Sequence, residues 1–207
     1  MKTRSAREDR HTGETKILVE LDLDKKQNSH ISIAEIPFFQ HMLELFAKHS
    51  GISLRIEAQG DTHVDDHHTI EDIGICLGKA FKSALGDKRS IKRFGSSLMA
   101  MDGVLIRVVL DISGRPHLEY HLETPERRNK KTLKGMIKNF DISLVEHFFD
   151  SFVKHAFVTV HIDLLRKGKG DLHHIIEAVF KGFAKAVEEA ISLTDDTSVP
   201  STKGIIE

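Results

Sequence analysis

Apolar and polar residues alternate along 15–23, which places Ile17, Val19, Leu21 and Leu23 on one face of a predicted strand. A polar turn at Lys25-Lys26-Gln27-Asn28 follows, and 30–33 returns as a second strand. The period then lengthens. Pro37 suits a first helical turn, Phe39, Met42, Leu43 and Phe46 recur at helical spacing, and Gly51 supplies the stop. Ile52, Leu54 and Ile56 restore alternation until Gly60-Asp61, after which Asp65 or Asp66 can cap a helix running to about Leu85. Ile70, Ile73, Leu77 and Phe81 form the apolar side of that helix, while Gly74 and Gly78 leave a bare stripe where another backbone can approach.

A second block follows the basic segment from Lys88 to Gly95. Strands are predicted at 104–112 and 117–122 around a Ser113-Gly114-Arg115-Pro116 turn, then a charged loop at 125–134. Helix, strand and helix recur at 142–155, 157–165 and 172–191, and the tail 199–204 has no periodicity. Strands and helices alternating in two equal blocks indicate sheets covered by helices. With no low-complexity linker, the chain reads as one compact unit of two homologous halves, about 1–95 and 96–207.

The halves are copies. Asp66-His67-His68-Thr69-Ile70-Glu71 reappears as Leu172-His173-His174-Ile175-Ile176-Glu177 at an offset of 106, and His41, Phe46, Lys48-His49 and Asp65 recur as His147, Phe152, Lys154-His155 and Asp171. From His41 to Ala80, 12 of 40 positions are identical to their partners, without a gap.

The repeated residues are of metal-ligand type. Helical positions four apart share a face, so His67 aligns with Glu71 and His173 with Glu177. His68 and His174 are rotated about 100° from their neighbours and are poorly placed for the same ion. Each helix thus carries ligands for one metal and a spare histidine for another. Two such helices facing across a pseudo-two-fold axis would exchange spares, with His41 and His147 completing sets of three imidazoles and one carboxylate. Nitrogen and oxygen ligation without thiolate suits Mn²⁺ or Fe²⁺, with Zn²⁺, Co²⁺ and Ni²⁺ able to compete, and open positions mark a catalytic ion.

One HHxxE run on a helix is ordinarily solvated surface or a capped helix start; two gapless copies, each with a histidine 26 residues upstream, are not expected from that. His49 and His155 read as helix-end histidines, and His11, His30, His117 and His121 as surface. Asp65 and Asp66 can orient the neighbouring imidazoles or cap the helix.

Composition narrows the rest. A net charge of −1 gives no general attraction to nucleic acid, and no apolar run is long enough for a membrane span. The charged N-terminus lacks the apolar segment of a secretory signal, and the single Cys76 fits a reducing, cytoplasmic setting.

With these motifs in hand, the chain resembles the imidazoleglycerol-phosphate dehydratase family over nearly its whole length. The resemblance rests on Gly13-Glu14-Thr15, Ile36-Pro37-Phe38-Phe39-Gln40-His41-Met42-Leu43, Asp65-Asp66-His67-His68-Thr69-Ile70-Glu71-Asp72 and Arg93-Phe94-Gly95. It continues through Asp111-Ile112-Ser113-Gly114-Arg115-Pro116, Glu146-His147-Phe148-Phe149, His173-His174-Ile175-Ile176-Glu177-Ala178, Phe180-Lys181 and Pro200-Ser201-Thr202-Lys203-Gly204.

The resemblance implies an α+β subunit with a four-helix layer between two four-stranded mixed β-sheets. It also implies trimers assembled into a homo-oligomer of 24 subunits with active sites between subunits. The implied reaction is dehydration of imidazoleglycerol phosphate to imidazoleacetol phosphate in histidine biosynthesis, through a metal-bound imidazolate. Two Mn²⁺ per active site are implied, one held by His67, Glu71, His147 and His174, the other by His41, His68, His173 and Glu177. Glu14 carries the acid–base role beside His67 and His173. Substrate is held by Glu14, His41, His49, Arg93, Arg115, Lys181, Ser201, Thr202 and Lys203, and Lys181 also lies four residues from Glu177 on the same helix face.

This chain differs from the family pattern at Glu35, where Gly is usual, and at Gly103, where an acidic residue is usual. It also differs near Asp171-Leu172, where Asn or Ser is usual, and in a loop, 127–134, that is more basic than the norm. Two rivals are a di-iron oxygenase or storage bundle, whose Glu-x-x-His order is the reverse of the order here, and a non-enzymatic metal-buffering shell.

Overall fold

In the computed structural model, which describes residues 3–25, 29–123 and 133–206, the 15–23 alternation becomes β2 (Thr15–Asp22), with Ile17 and Val19 fully buried. It pairs antiparallel with β1 (Ser5–His11) and β4 (Ser53–Gly60), and β3 (His30–Ile33) joins β4 in parallel, giving the order β1-β2-β4-β3. Two helices accompany this sheet, α1 (Pro37–Ser50) and α2 (His67–Leu85). Pro37 opens α1 and Gly51, at φ 69°, closes it in the left-handed region that favours glycine.

The second half repeats the plan. β5 (Phe94–Met101), β6 (Val104–Asp111), β7 (His117–His121) and β10 (Thr159–Arg166) form a mixed sheet of order β5-β6-β10-β7. α3 (Ser143–Ala156) and α4 (Leu172–Ile191) accompany it, and a two-stranded hairpin, β8 (Met136–Ile137) and β9 (Phe140–Asp141), precedes α3. The bounds of α1 and α3 differ by 106 at both ends. The hairpin strands obey a different offset: Ile17, Val19, Leu21 and Asp22 match Ile106, Val108, Leu110 and Asp111 at 89. The duplication therefore covers both halves, with 17 extra residues between β7 and α3 that include the β8–β9 hairpin.

α2 lies on β1 and β2, α4 lies on β5 and β6, and the two helix pairs meet face to face between the sheets. The result is an α+β subunit in which a four-helix layer separates two four-stranded mixed sheets. The helices pair across the duplication, α2 against α3 and α1 against α4. At the first contact the bare stripe has its expected use. A Cβ on Gly74 would stand 2.8 Å from the Phe148 carbonyl oxygen, and one on Gly78 would stand 2.6 Å from that of Phe152. Elsewhere phenylalanines fill the layer, with Phe39 edge-on to Phe148 at 5.2 Å and Phe149 edge-on to Phe183 at 5.1 Å.

Three elements escape the apolar pattern. β1 is an edge strand of sequence Ser-Ala-Arg-Glu-Asp-Arg-His, half-buried on one face and held by its pairing to β2 rather than by large apolar side chains. β5 turns Gly95, Ser97, Met99 and Met101 inward and leaves Phe94 and Leu98 exposed, so its apolar residues fall on both faces. The β8–β9 hairpin has two residues per strand. The charged loop expected at 125–134 falls, except for Leu133 and Lys134, outside the described residues. Among the described residues no helix is long and apolar enough to cross a membrane.

Candidate metal centre

Helix pairing across the halves gathers the repeated ligands into two clusters. α1 brings His41 to α4, which presents His173 and Glu177 one turn apart, and ligand atoms of the three lie within 4.8 Å of one another. His173 Nε2 is 3.4 Å from Glu177 Oε2, while the other oxygen of Glu177 receives Lys181 Nζ at 2.7 Å. α3 brings His147 to α2, where its ring meets His67 edge-on at 4.8 Å and His67 Nε2 stands 3.6 Å from Glu71 Oε2. The carboxylates differ in setting: the Glu177 side chain is 12% exposed and that of Glu71 46%.

Each cluster therefore holds two imidazoles and one carboxylate. The donor chemistry fits a divalent first-row cation that accepts nitrogen and oxygen, and leaves coordination positions open for a further ligand.

The spare histidines face away from these clusters. His68 Nδ1 lies 3.1 Å from both oxygens of Asp61 and 3.8 Å from Glu14 Oε2. The hydrogen bond to Asp61, with the nearby charges of Glu14 and Asp61, raises its pKa above the ordinary histidine value. His174 Nδ1 is held more loosely, 3.6 Å from Asp102 Oδ2 and 3.6 Å from Asp171 Oδ1. Within one chain the spares do not exchange: His68 and His174 pair with Asp61 and with Asp102 and Asp171, while His67 and His173 meet a histidine from the other half.

The helix starts explain how the ligands are fixed. Asp65 Oδ1 accepts the His67 N–H at 2.7 Å, whereas Asp66 makes no side-chain cap and its carboxyl pKa is raised by burial and by Asp65. Asp171, the counterpart of Asp65, accepts the His174 N–H at 2.9 Å and is held below its usual pKa by that bond. Capping thus falls to Asp65 and Asp171, and the carboxylate that orients an imidazole ring is Asp61. Asp61 lies seven residues before His68, in a loop whose geometry no residue pattern announces.

The remaining candidates surround these clusters. Glu14 is exposed at the β1–β2 turn, where its carboxylate shares the surroundings of His68. His49 is half-buried near Lys181 and Lys185, and burial first, then the Lys181 charge, lowers its pKa. His155 donates Nδ1–H to the Ser151 carbonyl at 2.8 Å, a helix-end role. Arg93 spends its guanidinium on Asp111, at 2.7 and 3.2 Å, and on the Pro200 carbonyl at 2.9 Å, so it anchors the C-terminal tail. In that tail the Lys203 N–H donates to Ser201 Oγ at 3.2 Å, while Thr202 and Lys203 are exposed. Arg115 is exposed beside Ser113, with its backbone N–H on Ser113 Oγ at 3.1 Å. Beside His41 and His173 a cavity of about 390 Å³ opens between Pro37, Phe38, Asp66 and Phe140.

A family model for imidazoleglycerol-phosphate dehydratase matches residues 34–187, which span both clusters. The chain belongs to the imidazoleglycerol-phosphate dehydratase family. A dehydratase of that name from Halorhodospira halophila is 44% identical over the full length of both chains. One from Staphylococcus carnosus is 47% identical over 98% of this chain and all of its own. The crystal structure of the dehydratase from Staphylococcus aureus N315 superposes with a TM-score of 0.78 at 40% identity, over 92% of this chain and 99% of that one. That of the Pyrococcus furiosus dehydratase in complex with (S)-C348 gives 0.77 at 33% identity, over 97% and 99%. Membership makes the chain an enzyme of the hydro-lyase class, in histidine biosynthesis.

Proposed function

We propose that this chain dehydrates imidazoleglycerol phosphate to imidazoleacetol phosphate in the cytoplasm, as a Mn²⁺ enzyme whose sites are completed between subunits. One observation carries this reading. The chain assembles three donors of each set, His41/His173/Glu177 and His67/Glu71/His147, and turns the fourth donors, His68 and His174, outward. Neighbouring copies would supply the missing histidines: His174 to the His67 set and His68 to the His41 set. Trimers building a shell of 24 subunits provide such neighbours. Bound there, two Mn²⁺ ions supply the positive charge that acidifies the substrate's imidazole N–H, with Fe²⁺, Co²⁺, Zn²⁺ or Ni²⁺ as substitutes.

The chain's own residues do the rest. Glu14 accompanies His68 into the shared site, and its Oε2 is the atom that takes the proton from the substrate carbon next to the departing hydroxyl. Arg115, whose Nη1 also donates to the Ser113 carbonyl at 3.4 Å, and Lys203 present exposed cationic heads that suit a terminal phosphate, with Ser201 and Thr202 next to Lys203 in the tail. Arg93 contributes by fixing the tail that carries them. Lys181 pairs with Glu177 Oε1 at 2.7 Å and fixes the orientation of that carboxylate, and His49 lines the same face.

The test is Mn²⁺-dependent release of imidazoleacetol phosphate by the purified protein, with metal counted in the same sample. Turnover with two ions per subunit is expected. Absence of turnover in a fully loaded assembly would favour the metal-buffering reading instead. Glu14→Gln is expected to keep both ions and the assembly while abolishing turnover, and retained turnover would remove Glu14 from the acid–base role.

A further inference from the structure

Beneath Glu14 runs a line of polar groups that none of the proposed roles uses. The Glu14 N–H donates to Thr12 Oγ1 at 3.1 Å, and the Thr15 N–H donates to the same oxygen at 2.9 Å. Thr12 Oγ1 and Thr15 Oγ1 are 3.1 Å apart, and Thr15 Oγ1 donates to Asp72 Oδ2 at 2.5 Å. Because the Thr15 hydroxyl proton is committed to Asp72, the proton between the threonines comes from Thr12. The relay therefore runs one way, from the Glu14 amide through two hydroxyls to a carboxylate. That carboxylate is 9% exposed and ion-paired at 2.8 Å with Arg10 Nε of β1, and it belongs to the residue after Glu71.

The duplication supplies the control. At the two offsets, Arg10, Thr12, Thr15 and Asp72 correspond to Met99, Met101, Val104 and Ala178. Val104 and Ala178 are buried and the two methionines pack on the core. The same strand–turn–strand under the same helix is thus built with no polar group at any of the four places. The turn of that half carries Gly103 where the first carries Glu14. Holding the hairpin to the helix does not require the relay, since the apolar version does so. A buried carboxylate and hydroxyls gain little net stability over well-packed apolar groups. What hydrogen bonds add is directional geometry, and it appears in the half that carries the glutamate.

We propose that Thr12, Thr15 and Asp72, steadied by Arg10, are positioning residues that fix the Glu14 backbone relative to the helix bearing His67, His68 and Glu71. This rests on the acid–base reading of Glu14. Misplacement by about 1 Å is enough to cost on the order of 100-fold in rate.

The experiment uses the Mn²⁺-loaded assembly. Thr15→Val is expected to lower kcat by roughly 10- to 100-fold with KM changed less than about threefold and two ions retained. Thr15→Ser restores kcat to within about threefold, because it keeps the hydroxyl. Amide hydrogen exchange at Glu14 and Thr15, measured without substrate, speeds up in Thr15→Val and not in Thr15→Ser.

The fourfold variant Arg10→Met/Thr12→Met/Thr15→Val/Asp72→Ala copies the other half. It is expected to fold and assemble with turnover lost. A kcat in Thr15→Val equal to that of the parent overturns the proposal. So does a defect that tracks metal loss and is not restored by serine. Retained turnover in Glu14→Gln alone overturns the acid–base reading, and the amide-exchange result still reports on the relay by itself.

Discussion

The two halves share a backbone plan and divide the chemistry. Both set a His-His-x-x-Glu turn at the start of a long helix, and both lend an upstream histidine to the other half's cluster. Yet Glu177 is nearly buried and braced by Lys181, whereas Glu71 is half-exposed and faces Ile75 at the position of that lysine. His68 is clasped by both oxygens of Asp61, and His174 leans on two exposed aspartates at 3.6 Å. A duplicated fold can fix ligand types by symmetry and still distribute bracing and proton handling unequally. Only the symmetric part repeats in the sequence.

Removing a shared ligand gives the largest effect. His41→Ala and His147→Ala take one imidazole from different clusters, so each is expected to lower turnover more than about 1,000-fold. Metal analysis should show one ion per subunit lost in each case, and from opposite sets. If His41→Ala and His147→Ala emptied the same set, the two-cluster reading would fail.

The bracing asymmetry predicts a smaller, pH-dependent effect. If His68 serves as proposed, a divalent ion must displace its proton, so Mn²⁺ uptake at that site is expected to strengthen as pH rises through the raised pKa and to weaken below it. In the metal-free protein the sign is the ordinary one for a raised histidine. The Asp61–His68 pair stabilises the fold below the unfolded histidine value near 6.5 and stops doing so as pH rises through the folded value. Asp61→Asn should move the midpoint of Mn²⁺ uptake to lower pH while weakening plateau affinity by about 10- to 100-fold. Asp102→Asn, beside His174, should do much less. Metal titrations at several pH values distinguish the two, and equal effects would mean that the clasp geometry is irrelevant.

Packing tests the same contrast at the level of stability. Gly78 and Ala184 are counterparts, and a Cβ on Gly78 would press on the Phe152 carbonyl at 2.6 Å. Gly78→Ala gains helix propensity of about 1 kcal/mol and loses roughly 1–3 kcal/mol to overpacking, so it is expected to be net destabilising. Ala184→Gly also destabilises, by about 1 kcal/mol, because nothing there requires a bare backbone. Thermal or denaturant midpoints of the two variants check both signs.

How much of this could be read beforehand follows from the same division. The helices, the central strands and the eight candidate ligands declare themselves through apolar period and gapless repetition, both local in the chain. β1 and β5 do not, because one is mostly charged and the other spreads its apolar residues over both faces, Met99 and Met101 inward and Phe94 and Leu98 outward. The older extent of the duplication is masked by 17 inserted residues, which change the offset from 106 to 89. The Asp61 clasp and the Asp72 relay join residues 7 and 57 positions apart and depend on how a loop and a hairpin settle on α2. Arg93 carries the motif residue but spends its charge on Asp111 and Pro200, which composition cannot show.

The smallest effect concerns a departure from the family pattern. Glu35 occupies the glycine position before Ile36-Pro37, and its φ of 68° explains why glycine suits that place. A side chain in the left-handed region costs about 1–2 kcal/mol. Against this, the Glu35 carboxylate accepts a hydrogen bond from Thr62 Oγ1 at the exposed surface, tying the start of α1 to the loop that leads into α2. A bond to a charged acceptor is worth about 1.5–3 kcal/mol when shielded, and solvation at this exposed surface brings it toward the low end or below. The two terms nearly cancel, so Glu35→Gly is expected to change stability by less than about 1 kcal/mol. Glu35→Gln keeps the strain while weakening the bond, and should be the less stable of the two. The counterpart position Asp141, in β9, has a partner across the hairpin and no positive φ, so its substitution by glycine should only destabilise. Denaturant midpoints for the three variants measure whether the strain at 35 is offset locally, and a large gain for Glu35→Gly would show that it is not.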